Sequence, residues 1–278
     1  MPVCSAGFRL IYITYAHQPQ NDTHETWSRA IHLVFGVVCI FAVGVSLGLL
    51  GAGGTAIALP VLVYLVGMEA HLAVTVSIIL VGAASAFGAI LHQRRGNVRW
   101  MAALSFAPFG IIGAVLGARW SYAFSARALL LTFSGLLVII AVRLLRDNGA
   151  GDGRKRPLII IAVVGFGIGI LTGLLGVGGG FVIVPSLVWF AGLAMKEAIG
   201  TSLVIIAINS AAAFYGHWRG TPDLEPGVVL PLLLSAGAGM ALGSRLAHAT
   251  DPARLRRWFA WLLIAMALYM AARNLMGG

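Results

Sequence analysis

The chain has 278 residues, of which 59% are hydrophobic and only 10% charged, with a mean hydropathy of +0.94. A soluble chain of this length would expose about a quarter of its residues as charges, so the composition excludes a soluble globular protein and indicates a polytopic membrane protein. The net charge of +10 comes from short Lys and Arg clusters between apolar runs, which is typical of loops beside membrane spans and not of a nucleic-acid surface.

Ten apolar segments follow a polar N-terminal tail, which we assign to residues 1–28. Most of them reach the ~20 residues that are needed to cross a ~30 Å hydrocarbon core. Two segments, 55–67 and 180–192, would be only ~18–20 Å long as helices. Each of these two follows a cluster of glycines. The segments lie at 31–50, 55–67, 71–92, 100–119, 127–145, 158–175, 180–192, 197–216, 227–247 and 258–276.

The two glycine clusters belong to an internal repeat. The sequence GLLGAGG at 48–54 matches GLLGVGG at 173–179 at an offset of 125 residues, and 16 of the 47 aligned positions from 48 onward are identical. This pattern predicts two membrane repeats, at 29–146 and 158–278, joined by a charged linker at 147–157. Each repeat would hold a glycine-broken helix hairpin with a short half-helix, followed by three transmembrane helices, in an all-α pseudo-symmetric fold.

The basic residues favour inverted repeats. A broken hairpin plus three spans crosses the membrane an odd number of times, and this topology places 13 of the 19 Lys and Arg residues on one side. If the broken pair crosses only once, the repeats become parallel and the larger group falls to 12. The positive-inside rule therefore favours the inverted arrangement, with both chain termini outside the cytoplasm.

The glycine clusters predict an anion site. A helix broken within the membrane leaves backbone N–H groups without partners, and the half-helix that follows carries a partial positive charge at its start. Two such breaks that face each other near mid-membrane would form a positive pocket for a small anion. The residues that we expect to bind the anion are Gly51, Gly53, Gly54, Thr55, Ser77, Gly176, Gly178, Gly179, Gly180, Thr201, Ser202 and Asn209.

Other patterns have a structural interpretation. Two GxxxG pairs, Gly113 with Gly117 and Gly239 with Gly243, are expected to allow close helix packing. His92 and its repeat counterpart His217 end corresponding spans, where we interpret them as interfacial anchors, with proton coupling or gating as the alternative.

The acidic residues argue against several other functions. No Asp or Glu lies at a span centre, which disfavours a cation carrier or a proton relay. A membrane-embedded enzyme would need a nucleophile beside a base, and no such pair is evident. No set of His, Cys and carboxylate residues has metal-ligand spacing, so we propose no metal site.

The doubled GLLGxGG motif resembles the sulfite exporter TauE/SafE family of membrane permeases. Pro60 and Pro185 each follow the motif by six residues and precede a serine-containing span, and the resemblance covers about 33–275. The first copy departs from the second at one position, where Thr55 replaces the extra glycine found at Gly180. The resemblance implies a carrier for sulfite, sulfoacetate and related anions, without a bound cofactor, in the bacterial cytoplasmic (inner) membrane.

Taken together, these patterns predict a multi-pass secondary transporter that exports small sulfur-containing oxyanions by alternating access. Its expected partners are the anion and the lipid bilayer, and its glycine-rich faces permit a homodimer. An anion channel and a permease for another small anion remain alternatives, followed by a membrane-embedded enzyme and a scaffold.

Overall fold

The computed structural model describes residues 23–51, 58–59, 61–120, 126–146, 157–175, 180–217 and 226–276. Within these ranges the chain forms α-helices and one π-helical segment, and no β-strand, as the composition predicts. In chain order the elements are α1 (Thr23–Leu50), the π segment (Val61–Leu65), α2 (Ala70–Gln93), α3 (Trp100–Trp120), α4 (Ala126–Arg146), α5 (Leu158–Leu175), α6 (Gly180–Phe190), α7 (Met195–His217), α8 (Pro226–Ala249) and α9 (Pro252–Met276).

The helices are those of an integral membrane protein. Among the described residues, four helical stretches are long and apolar enough to cross a membrane, within α2, α3, α7 and α8, and shorter apolar stretches lie in α1 and α5. Large apolar side chains such as Met101, Ile159 and Leu234 are 65–71% exposed on the outside of the bundle. Because a soluble protein rarely exposes contiguous apolar surface of this kind, we interpret this exterior as facing lipid.

Glycines bring α1 against α8 in backbone contact. A Cβ on Gly48 would lie 2.5 Å from the carbonyl oxygen of Met240, and one on Gly239 would lie against the carbonyl oxygen of Phe41. Successive contacts advance along both helices together, from Gly44 opposite Ala236 to Gly48 opposite Met240, so α1 and α8 run in the same direction. The GxxxG pair of α8 therefore allows close packing, as predicted.

The same contacts recur between α3 and α5. A Cβ on Gly113 would meet the carbonyl oxygen of Phe166, and one on Gly169 would meet that of Gly110. These are the repeat counterparts of Gly239, Phe41, Gly44 and Ala236, at offsets of 125 and 126 residues. Gly165 lies opposite Phe106 and Gly169 opposite Gly110, so α3 and α5 run parallel to each other, as α1 and α8 do.

The two short segments end in matching turns. Gly67 and Gly192 occupy corresponding positions and have φ values of +76° and +68°, which non-glycine residues rarely adopt. The next residue donates a backbone hydrogen bond to the carbonyl of Leu62 in the first half and of Leu187 in the second. Corresponding residues thus make corresponding bonds, which is what a duplicated unit predicts.

The structure also departs from the predicted elements. Helix α1 begins at Thr23, inside the stretch assigned to the polar tail. In the first half the described part of the short segment is π-helical, with the amide of Val66 bonded to the carbonyl of Val61, whereas in the second half α6 is an α-helix with Pro185 inside it. The two half-helices are therefore not equivalent.

Candidate functional site at the crossing of α2 and α7

Helices α2 and α7 are repeat counterparts and pack against each other in opposite directions. A Cβ on Gly82 would lie 2.9 Å from the Cβ of Ser210, one on Gly88 would lie 3.1 Å from Leu203, and one on Gly200 would lie 3.0 Å from the Cβ of His92. Position numbers rise along α2 as they fall along α7, so the crossing is antiparallel. Corresponding helices that cross in antiparallel fashion are what inverted repeats require.

Unpaired polar atoms lie at the middle of this crossing. The hydroxyl oxygen of Ser85 is fully buried and has no hydrogen-bond partner, and neither has the buried Oδ1 of Asn209. The register above sets Ser85 level with residues 206–207 of α7, less than one turn from Asn209. A buried polar atom without a partner costs about 1–3 kcal/mol, so two of them at one level indicate a place where a polar ligand binds.

The first glycine break lies close to this level. Helix α1 ends at Leu50, and Gly51 follows with a φ of +71°. The hydroxyl of Ser202 donates to the carbonyl of Gly51 (2.9 Å) and to that of Ile199 (2.8 Å). Ser202 is seven residues into α7, which sets the break about 10 Å from the start of that helix and about 6 Å from its midpoint.

Three of the predicted ligands are occupied by bonds within the protein. Ser202 gives its hydroxyl proton to backbone carbonyls, and Ser77 donates in the same way to the carbonyl of Val74 at 2.8 Å. The side chain of Thr201 is fully buried and accepts the amide N–H of Arg99, just before α3 begins. Ser202 thereby holds the end of α1 and Thr201 the start of α3, whereas Ser77 bonds back to its own helix; Asn209 keeps an unpaired polar atom.

The glycine clusters are described only in part. Gly51 is buried at the end of α1, and Gly180 is the buried first residue of α6. The predicted ligands Gly53, Gly54, Thr55, Gly176, Gly178 and Gly179 lie outside the described residues. The structure therefore describes only one end of each cluster, and the anion-binding role of the remaining glycines stays a prediction.

One end of the crossing is tied together across the two halves. We call it the arginine-rich end, formed by the last turn of α2, the turn at 94–99 and the first turns of α7. The guanidinium of Arg99 pairs with the carboxylate of Glu197, and the guanidinium of Arg95 donates to the carbonyl of Ser244 at 3.0 Å. The ammonium of Lys196 donates to the carbonyl of His248 at 2.7 Å. These bonds hold α2, α3, α7 and α8 together at this end.

The described Asp and Glu residues lie near helix ends and not at the centre of the bundle. In the part of the chain that the structure describes, Glu25, Glu69, Glu197 and Asp251 all lie within three residues of a helix end. The sequence analysis selected Asn209 as a ligand and did not select Ser85, although a serine recurs at the corresponding position, Ser210. The centre of the bundle consequently offers neutral polar groups and no described negative charge, which suits an anion better than a cation.

A polytopic helical bundle with an apolar exterior and unpaired polar groups at its centre belongs to the class of integral membrane proteins that carry polar solutes. The comparison with known families narrows this class. The model of the sulfite exporter TauE/SafE family matches residues 36–270, and the chain belongs to that family of membrane transporters.

Similar proteins carry the same general description. A "probable membrane transporter protein" of Xylella fastidiosa strain 9a5c is 30% identical over 84% of this chain and 92% of its own length. One of Haemophilus influenzae is 29% identical over 82% of this chain and 93% of its own length, and YdhB of Bacillus subtilis is 26% identical over 61% and 72%. No solved structure is significantly similar to the chain.

Proposed function

We propose that this transporter exports small sulfur-containing oxyanions, namely sulfite or organosulfonates such as sulfoacetate, across the bacterial cytoplasmic membrane. The observation that carries the proposal is the pair of buried, unpaired polar groups of Ser85 and Asn209 at the antiparallel crossing of α2 and α7. The family supplies the substrate class, since its description is that of a sulfite exporter.

The anion would be held by neutral donors. The Ser85 hydroxyl supplies one hydrogen-bond donor and Nδ2 of the Asn209 carboxamide supplies another, while the unpaired Oδ1 accepts from water or from a protonated oxyanion such as bisulfite. Hydrogen bonds to a charged partner are about twice as strong as neutral ones. The N-terminus of α6 at Gly180 adds free N–H groups and the positive end of a helix dipole. No carboxylate among the described residues lies at this level to repel an oxyanion, which would replace the water that these groups otherwise bind.

The two halves would act as inverted repeats that alternate access to this site. Arg99, Glu197 and Arg95 make bonds that tie the helices together at the arginine-rich end. The repeat counterparts of Glu197 and Arg95 are Leu72 and Gly220, which cannot form the same bonds at the opposite end. In this proposal, the arginine-rich end can open only when these polar contacts break. The corresponding residues at the opposite end do not form such contacts, so its opening does not require the same bonds to break.

Counterflow distinguishes this carrier from an anion channel that would use the same polar centre. Purified protein is reconstituted into liposomes loaded with unlabelled sulfite, and the uptake of labelled sulfite is followed with and without a pH gradient. A carrier gives saturable uptake above the equilibrium level, with sulfoacetate competing better than chloride. A channel gives flux without counterflow, and the absence of flux for sulfite, sulfonates and thiosulfate would contradict the substrate class.

A further inference from the structure

A second group of buried polar atoms lies at the arginine-rich end, away from the crossing centre. The imidazole of His92 is only 1% exposed, and neither of its nitrogens makes a hydrogen bond of normal geometry. The hydroxyl of Ser244, on α8, is fully buried and is also without a partner. His92 was interpreted from the sequence as an interfacial anchor, and its burial shows that this interpretation was wrong.

These groups converge on the backbone of Gly48. A Cβ on Gly48 would lie 2.8 Å from the amide nitrogen of Ser244, so α8 passes directly beside it. The His92 ring lies beside the Gly48 backbone as well, without forming a hydrogen bond of normal geometry. His92 and Ser244 thus flank one point in the structure from two different helices, α2 and α8.

A guanidinium group completes the cluster. The amide of Arg95 bonds to the carbonyl of His92 (3.1 Å), which places Arg95 one turn beyond the ring, and its guanidinium donates to the carbonyl of Ser244. Arg95 and His248 are both close enough to act on the imidazole electrostatically. The acids described at this end are already paired, Glu197 with Arg99 and Asp251 with Arg254. The cluster therefore combines buried hydrogen-bond donors with an uncompensated positive charge.

The repeat does not require this cluster. The positions that correspond to Arg95 and Ser244 in the other half of the chain are Gly220 and Ala118, which have no polar side chain. A purely structural demand of the duplicated fold would apply to both halves. His92 has a counterpart in His217, but the side chains of Arg95 and Ser244 have none, and they lie at the end that carries more basic residues, which by the positive-inside rule faces the cytoplasm.

We propose that His92, Ser244 and Arg95 form a second anion-binding site, a cytoplasmic entry site that takes a small oxyanion before it reaches the crossing of α2 and α7. The Ser244 hydroxyl and one His92 nitrogen donate to the anion, and the Arg95 guanidinium supplies the opposite charge. Binding there weakens the bond between Arg95 and the Ser244 carbonyl and so favours opening of the arginine-rich end. The claim that the anion enters from the cytoplasm rests on the proposed function, whereas the existence of the second site does not.

Equilibrium binding of labelled sulfite, and separately of labelled sulfate, to the purified full-length protein tests the site. The wild type should bind two anions per chain. Ser244→Ala and Arg95→Gln should each weaken one of the two binding events roughly tenfold or more, as expected for the loss of a charge-assisted hydrogen bond. Arg94→Gln is the matched control, because Arg94 is an exposed neighbour of the same charge that makes none of these contacts.

Nuclear magnetic resonance of protein labelled with ¹⁵N-histidine gives a second readout. Added sulfite should shift the ring signals of His92, assigned with His92→Asn, and Ser244→Ala should abolish the shift while the protein remains folded. A single bound anion per chain, or a His92 signal that does not respond to either anion, would overturn the site. If the protein transports sulfite but binds only one anion per chain, the second site is wrong and the proposed function stands. If it binds two sulfate ions per chain but does not transport sulfite, the proposed function is wrong and the second site stands.

Discussion

Replacing Gly239 by alanine should destabilise the protein, whereas the same change two residues earlier should not. A Cβ on Gly239 would lie against the carbonyl oxygen of Phe41 and 3.0 Å from the amide nitrogen of Val45, both of which belong to the backbone of α1. Backbone atoms of a packed helix cannot turn aside as a side chain would, so the two helices must separate. Gly237 lies on the same helix and has nothing within 4 Å of its Cβ position.

The size of the difference follows from two opposing effects. Forcing an extra methyl group into a packed contact costs about 1–3 kcal/mol, and alanine in place of glycine in a helix interior contributes up to about 1 kcal/mol of stability. Gly237→Ala should therefore be neutral or stabilising. Because the gain from alanine is common to both changes, Gly239→Ala should lie below it by about 1–3 kcal/mol, on the order of a 5- to 150-fold change in the unfolding equilibrium.

Reversible unfolding in mixed micelles, with tryptophan fluorescence as the signal, measures this difference. Gly169→Ala and Gly167→Ala repeat the comparison on α5, because Gly169 would meet the carbonyl of Gly110 and Gly167 would meet nothing within 4 Å. Both pairs should show the same sign. Equal stability of Gly239→Ala and Gly237→Ala would refute the backbone contact between α1 and α8.

Three further predictions concern the ends of helices. Ser202→Ala removes the hydrogen bond to the Gly51 carbonyl and should lower the free energy of unfolding by about 1–2 kcal/mol. The order in which anions compete in transport should not change; a changed order would show that Ser202 contacts the substrate. A double-mutant cycle of Arg99→Gln and Glu197→Gln should give a coupling of about 0.2–1 kcal/mol that decreases with salt, and a larger, salt-insensitive coupling would contradict a partly exposed pair. Cysteines at Glu69 and Arg94, in a background without native cysteines, should be labelled from opposite faces of the membrane in cells, and labelling from one face would contradict the predicted span of α2.

The positions of helices could be predicted from the sequence, because they depend on apolar length and glycine spacing. The packing role of Gly113 and Gly239 followed from their GxxxG spacing and is confirmed by their contacts with Phe166 and Phe41. The antiparallel crossing of α2 and α7 is the arrangement that inverted repeats require.

The roles of individual polar side chains could not be predicted equally well. Ser77 and Ser202 recur at the spacing expected of ligands, but their hydroxyl protons go to backbone carbonyls. His92 stands next to charged residues in the sequence, yet its side chain is buried, with its Cβ against Gly200 and its ring beside the backbone of Gly48. Sequence gives the type and spacing of a polar group, whereas its free hydrogen-bonding capacity depends on which backbone atoms approach it in the fold.

The most direct test of the proposed transport site is sulfite counterflow by Asn209→Leu beside the wild type and Ser210→Ala. The wild type should accumulate labelled sulfite against a preloaded pool, and Ser210→Ala should retain that activity, since Ser210 has only a packing contact with Gly82 among those described here. Asn209→Leu removes the carboxamide with little change in volume and should lower the initial rate at least tenfold, as the loss of one hydrogen bond to an anion predicts. Full counterflow by folded Asn209→Leu protein would show that the anion does not cross at the meeting of α2 and α7.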